Sequence, residues 1–193
     1  MTGNDIVDIH LAAKETNWQR KGFLEKIFTP SEQSMINNTA SPQQMVWRLW
    51  TMKESAYKLY IRQQGGRFFA PGKHHCSINS GSYGKVSIND QQYQTLTSTT
   101  SNYIYTIAKS VNDKTGDFIN SCFDLPDITS EEQRAFMYNK ILIEYNRYSN
   151  MKHNALVFTK DCNGIPWLSC KNENTKIPVS ITHHGRFAAF TVN

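Results

Sequence analysis

Apolar and polar residues change their period several times along this chain, and each change predicts an element. At the start, Ile6, Val7 and Ile9 form a short β-prone run with Asp5 and Asp8 interleaved. Side chains alternate on a strand, so Asp5 and Val7 share one face while Ile6 and Asp8 share the other. From Pro42 to about Ile61, Val46, Leu49, Trp50, Tyr57 and Ile61 recur at helical spacing. Two starts, Thr29-Pro30-Ser31-Glu32 and Ser41-Pro42-Gln43-Gln44, each offer a capping hydroxyl, a proline at the first helical position and Glu or Gln three residues after the cap. Thr129-Ser130-Glu131-Glu132 opens a further helix, over about Ser130 to Tyr148.

The segment from Gly65 to Gly72 breaks the period and reads as a loop. Alternating runs then follow from Cys76 to Ile78, Lys85 to Ile88, Tyr93 to Thr97 and Tyr103 to Ala108, the pattern of an antiparallel meander. After the late helix come Leu156 to Thr159, Trp167 to Ser169, Val179 to Thr182 and Phe187 to Val192, again strand-like. Gly84 to Ile88 leading to Tyr103 to Ala108 is echoed by Gly164 to Leu168 leading to Phe187 to Val192. The expected architecture is α+β: two similar halves related by a pseudo-twofold, each an antiparallel sheet packed against a long helix. Residues 1–110 would form the first half, the polar stretch 111–128 a connection, and residues 129–193 the second half, with a ligand cleft between them.

A length of 193 residues with 39% hydrophobic residues suits a protein that buries its own core. The cysteines, Cys76, Cys122, Cys162 and Cys170, show neither a C-x-x-C pair nor zinc spacing, so reduced thiols and a cytoplasmic location are expected. No leader pattern and no membrane-length apolar run is present, so no membrane partner is expected. A net charge of +5 points to an anionic partner. The basic residues are scattered without a nucleic-acid-binding signature, which argues against nucleic acid.

Glu54 and Lys58, four apart, share one helical face. By spacing alone they are an ordinary surface ion pair, yet Trp50, Ala56 and Tyr57 surround them with apolar surface, where an idle carboxylate would be costly. Asp5 alone reads as a strand-end acid. Asp5 and Glu54 together suit Mg²⁺, which takes one or two protein carboxylates and completes its shell with water and phosphate oxygens. Asp8 would be accessory, and Lys53 and Lys58 would offset phosphate charge. His183 and His184 point to opposite faces of a strand and have no Cys or carboxylate at ligand spacing, so a phosphate contact suits Thr182-His183-His184-Gly185 better than zinc.

These stretches together resemble the 4′-phosphopantetheinyl transferases, which move the phosphopantetheine arm of coenzyme A onto a serine of a carrier protein. Gly3-Asn4-Asp5-Ile6-Val7-Asp8-Ile9 is similar to the family's first motif, and Phe23 to Thr29 with Glu32 to the segment that follows in the holo-acyl-carrier-protein synthase branch. Trp50-Thr51-Met52-Lys53-Glu54-Ser55-Ala56-Tyr57-Lys58 matches its W-x-x-K-E-[AS]-x-x-K helix, and Ser180-Ile181-Thr182-His183 resembles the closing strand. The length and apparent duplication resemble the pseudo-dimeric branch, with the order of the halves swapped as in a circular permutation.

The resemblance implies that Asp5 and Glu54 hold Mg²⁺ and that Lys58 meets the diphosphate of coenzyme A. It implies that Thr182 and His183 contact coenzyme A phosphates and that Gly164 and Pro166 lie near the adenine. The products would be a modified acyl or peptidyl carrier protein and 3′,5′-ADP. Two positions depart from the larger branch: Val7 stands where it has a second acid, and Ile165 where it usually has a basic residue. These departures leave an alternative, a relative that binds coenzyme A without catalysis.

Overall fold

A computed structural model describes residues 1–66, 69–113, 117–149, 156–170 and 175–193. Its elements are β1 (Thr2–Asp8), α1 (Ile9–Glu15), α2 (Phe23–Ile27), α3 (Pro30–Asn37), α4 (Pro42–Gln64), β2 (His75–Ser80), β3 (Tyr83–Ile88), β4 (Gln91–Thr99) and β5 (Tyr103–Ser110). The second half continues with β6 (Ile119–Asp124), α5 (Ser130–Ser149), β7 (Leu156–Lys160), β8 (Pro166–Cys170), β9 (Lys176–His184) and β10 (Phe187–Val192). Arg67 and Phe68 of the expected loop, Gly116 of the expected connection and the Cys170 side chain lie outside the described residues. Cys76, Cys122 and Cys162 are free thiols. No described helix is long and apolar enough to cross a membrane.

The strands form two antiparallel five-stranded sheets, ordered β1-β5-β4-β3-β2 and β6-β10-β9-β8-β7. Substituting each first-half strand by its counterpart converts one order into the other, as the pseudo-twofold requires. The match extends to single hydrogen bonds. Ile9, just after β1, donates its N–H to Asn102 O at 2.9 Å, and Leu125, just after β6, donates to Arg186 O at 2.7 Å. Tyr103 and Phe187, which begin the equivalent strands β5 and β10, lie across from Asp8 and Asp124 in the two registers. Their rings touch at 5.0 Å between centroids. Contact between equivalent residues marks an isologous interface, here within one chain. Ile6, Tyr105, Ile107, Phe187 and Ala189 fill that interface.

Most expected strands occur where the alternation places them. The exceptions have local causes. Ile9 begins α1 instead of extending β1, because Asp8 turns the chain and caps the helix through the Leu11 and His10 N–H groups. The stretch 111–128, read as a connection, contains β6, the edge strand of the second sheet, paired to β10. Thr29 and Glu32 form the expected capping box, as do Thr129 and Glu132, whereas Ser41 makes no side-chain cap. His74, just before β2, is buried at 4% exposure against Tyr57 and Phe69.

α4 lies on the first sheet and buries Val46, Leu49, Met52, Ala56 and Leu59. Its approach to β1 depends on Gly3, where an added Cβ would stand 2.2 Å from Ser55 O and 3.0 Å from Leu59 N. A polar hub fixes α4 from the other side. The side chains of Lys53 and Glu32 are fully buried and pair at 2.7 Å. Lys53 also donates to Ile27 O, Pro71 O and His74 O, and Glu32 accepts from the N–H groups of Thr29 and Cys76. The expectation that Lys53 offsets phosphate charge is therefore corrected: neighbouring helix positions diverge by about 100°, so Glu54 and Lys58 face the cleft while Lys53 points into the core.

Removing one partner of a buried pair strands the other charge. Lys53→Met is expected to lower stability by about 3–5 kcal/mol in urea denaturation, and adding Glu32→Gln to recover part of that loss. Asp8 generates a pH-dependent counterpart. Arg186 binds it through two guanidinium nitrogens, at 2.8 and 3.0 Å. The Arg186 hydrogen bond is the main cause that holds the Asp8 carboxyl well below its ordinary value. A depressed folded-state value contributes stability above the unfolded value of about 4 and loses it as pH falls. Asp8→Asn, still able to cap α1, is expected to cost roughly 1 kcal/mol at pH 7, discounted because Arg186 is solvent-exposed. Melting curves of the two proteins should converge as the pH falls below about 4.

Candidate active site between the halves

β1 carries its acids into the interface between the sheets. One edge of β1 pairs with β5. Along the other, Asn4 N–H donates to Ser180 Oγ at 3.2 Å, Asp8 N–H to His184 Nδ1 at 3.0 Å and Thr2 N–H to Asn193 Oδ1 at 2.8 Å. All seven residues of β1 are buried. The alternation sorts them as the sequence predicts. Val7 enters the first-half core and Asp5 meets α4, while Ile6 packs in the interface and Asp8 meets Arg186.

Asp5 Oδ1 accepts from Lys58 Nζ at 2.8 Å and from Thr182 Oγ1 at 2.9 Å. Lys58 also donates to Asn4 O at 3.0 Å. Asp5 Oδ2 accepts no hydrogen bond among the described residues. Thr182 is 5% exposed and holds Asp5 across the interface. Glu54, one turn before Lys58, forms no hydrogen bond or ion pair among the described residues. Burial, then repulsion from Asp5, pushes its carboxyl up to about 7, partly offset by Lys58.

Two carboxylates drawn together with free oxygens are the donor set Mg²⁺ uses when water and phosphate complete its octahedron. No group of three or more His, Cys, Asp and Glu side chains that could hold a metal occurs among the described residues. Val7, at 4% exposure, packs in the first-half core and adds no carboxylate to the pair.

Asp5 and Glu54 open on a cleft of about 340 Å³ that Trp47, Trp50 and His183 also line. His183 in turn borders a second cleft of about 390 Å³, lined by Arg134, Met137, Tyr138, Lys160, Gly164 and Pro166. His183 thus joins the carboxylate site to the Gly164–Pro166 turn. Partial burial, with Lys58 and His184 nearby, holds its imidazole below its ordinary value, so the ring is neutral near pH 7. The turn is built by Asp161 Oδ1, which accepts from the N–H groups of Asn163 and Ile165, with Gly164 at a φ of 73°. Ile165 is 8% exposed and points no charge at the cleft.

Arg134 and Lys160 were absent from the sequence expectations. Both are exposed, and neither pairs with a carboxylate among the described residues. Each reads as an ordinary surface cation until the fold sets α5 beside the end of β7. His184 accepts from Asp8 N–H, which places its proton on Nε2, 3.5 Å from Glu15 Oε2. Gly185 lies against Asp8, where an added Cβ would stand 2.8 Å from Oδ2.

No curated protein matches the chain. A family model does: the 4′-phosphopantetheinyl transferase superfamily matches residues 1–110, which carry Asp5, Glu54 and Lys58. With more than half of the 193 residues matched and the motif side chains converging on one cleft, the chain belongs to the 4′-phosphopantetheinyl transferase superfamily.

Proposed function

We propose that this protein transfers the phosphopantetheine arm of coenzyme A to a serine of an apo acyl or peptidyl carrier protein, releasing 3′,5′-ADP. The observation that carries this reading is the continuity of two sites. A cluster of Asp5, Glu54 and Lys58 shares His183 with a cleft flanked by Arg134 and Lys160, cations that pair with no carboxylate among the described residues. A diphosphate with a nucleotide at one end suits that sequence of groups.

Asp5 and Glu54 would hold Mg²⁺, which when bound draws charge from the diphosphate and stabilises the leaving group. Lys58 is placed to stabilise charge at the reacting phosphate. Its bonds to Asp5 and Asn4 O leave one ammonium hydrogen for the ligand. Glu54, which opens on the cleft beside Asp5, would take the serine proton. His183, which borders both clefts, would lie between the diphosphate and the nucleotide. Arg134 and Lys160 favour anionic ligand groups at the far end.

The acceptor side has its own electrostatic signature. Lys14, Arg20, Lys21 and Lys26 are exposed on and around α1 and α2, next to Ala12 and Thr16 of the cleft wall. None of the four pairs with a carboxylate among the described residues. An acidic carrier protein fits this rim. Val7 and Ile165 support a second reading, a coenzyme A-binding relative without catalysis.

Mass spectrometry of apo carrier proteins incubated with the enzyme, coenzyme A and Mg²⁺ separates the two readings. The expected result is a gain of one phosphopantetheine by the carrier; coenzyme A binding with no gain on any carrier supports the second reading. Glu54→Gln is expected to abolish transfer while holding or raising thermal stability at pH 8. The sign follows from the raised value: the folded state prefers neutral Glu54, so its contribution falls as pH rises from about 4.5 to about 7 and the penalty is complete above that. A Glu54→Gln protein that transfers normally would place the base elsewhere.

A further inference from the structure

Arg62 lies four residues beyond Lys58 on the face of α4 that already carries Glu54 and Lys58. Instead of reaching the cleft, it crosses to the second half. One guanidinium nitrogen donates to Val179 O of β9 at 2.5 Å and another to Pro166 O of β8 at 3.3 Å. The guanidinium also stands 5.2 Å from the centroid of the Trp167 ring. Burial lowers its value to about 10, so it remains charged at neutral pH, with Asp161 opposing that shift. Asp161 is the residue whose carboxylate organises the Gly164–Pro166 turn.

We infer that Arg62 is a positioning residue that locks the Gly164–Pro166 wall of the nucleotide cleft to the catalytic helix. The inference rests on the reading of that cleft as the coenzyme A site. Its physical basis is a separation of tasks along one helical face. Glu54 and Lys58 meet Asp5, while Arg62 holds the far wall from behind without lining the cleft. The cross-half bonds of β1 near the site, Thr182 to Asp5, Asn4 to Ser180 and Asp8 to His184, fix β9 against β1 and leave the β8 turn untouched. Among the described residues, Arg62 is the α4 side chain that grips both β8 and β9. A planar fork satisfies two carbonyls and one ring face at once, which a lysine ammonium does not reproduce.

The consequence is a split between binding and turnover. Arg62→Met is expected to weaken coenzyme A about tenfold, the effect of losing charge-assisted bonds that hold a binding wall. Its kcat at saturating coenzyme A should stay within about twofold, because Asp5, Glu54 and Lys58 are untouched. Arg62→Lys should give an intermediate affinity. Affinity is measured by calorimetry without carrier, where no turnover occurs, and kcat by carrier mass gain at a temperature where every variant is folded.

Lys53→Met is the control for general destabilisation and should leave coenzyme A affinity unchanged in folded protein. Unchanged affinity in Arg62→Met, a loss of kcat at unchanged affinity, or the same affinity loss in Lys53→Met would each overturn the inference. If the wild-type protein neither binds coenzyme A nor modifies a carrier, the reading of the cleft fails instead, before any variant is compared.

Discussion

The free edge of β1 is the constraint on which the site depends. A buried strand with one edge outside its sheet must find acceptors for its N–H groups elsewhere, and here Asn193, Ser180 and His184 of the second half accept from Thr2, Asn4 and Asp8. Those bonds set β9 beside β1 at a fixed alignment. Once Asn4 faces Ser180 and Asp8 faces His184, Thr182 falls opposite the middle of β1, and its hydroxyl reaches Asp5. The carboxylate site is thus a by-product of how the two sheets dock. Gly3 supplies the remaining dimension by letting α4 approach β1, which brings Glu54 and Lys58 to the same place.

Adjacent residues of α4 show how one helix serves both stability and chemistry. Lys53 meets a carboxylate and three carbonyls in the interior, and its charge is spent on joining α4 to α2, α3 and the segment that leads into β2. Glu54 is given no such partners. Its carboxyl is held near 7 by burial and by Asp5, a cost the fold carries at neutral pH. Such a group is poised for a cation or a proton, while the Lys53–Glu32 hub is satisfied within the core on another face of the same helix.

Elements with long, regular periods were legible in the sequence. The helix that became α4, the meander of β2 to β5 and the duplication all follow from alternation and helical spacing. α1 and α2, of seven and five residues, are too short to declare a period, and α1 depends on a cap from Asp8. β6 was hidden because its sequence, Ile-Asn-Ser-Cys-Phe-Asp, is half polar and sits between loop-forming residues. Asp5, Glu54, Lys58, Thr182 and His183 were visible as motifs, and the fold brings them to one place. Arg62, Arg134 and Lys160 were not, because a cation on a helix or strand end acquires meaning only from what the tertiary structure sets opposite it. Lys53 was misread for the complementary reason: its neighbour on the chain is not its neighbour on the helix surface.

The central claim is that Asp5 and Glu54 form half of a site that a divalent cation and a diphosphate complete together. It is tested most directly by titrating coenzyme A calorimetrically with and without Mg²⁺, in the wild-type protein and in Asp5→Asn. The account predicts that Mg²⁺ tightens coenzyme A binding by at least about tenfold in the wild type and that Asp5→Asn erases this gain. Equal affinity with and without Mg²⁺ in the wild-type protein would contradict it.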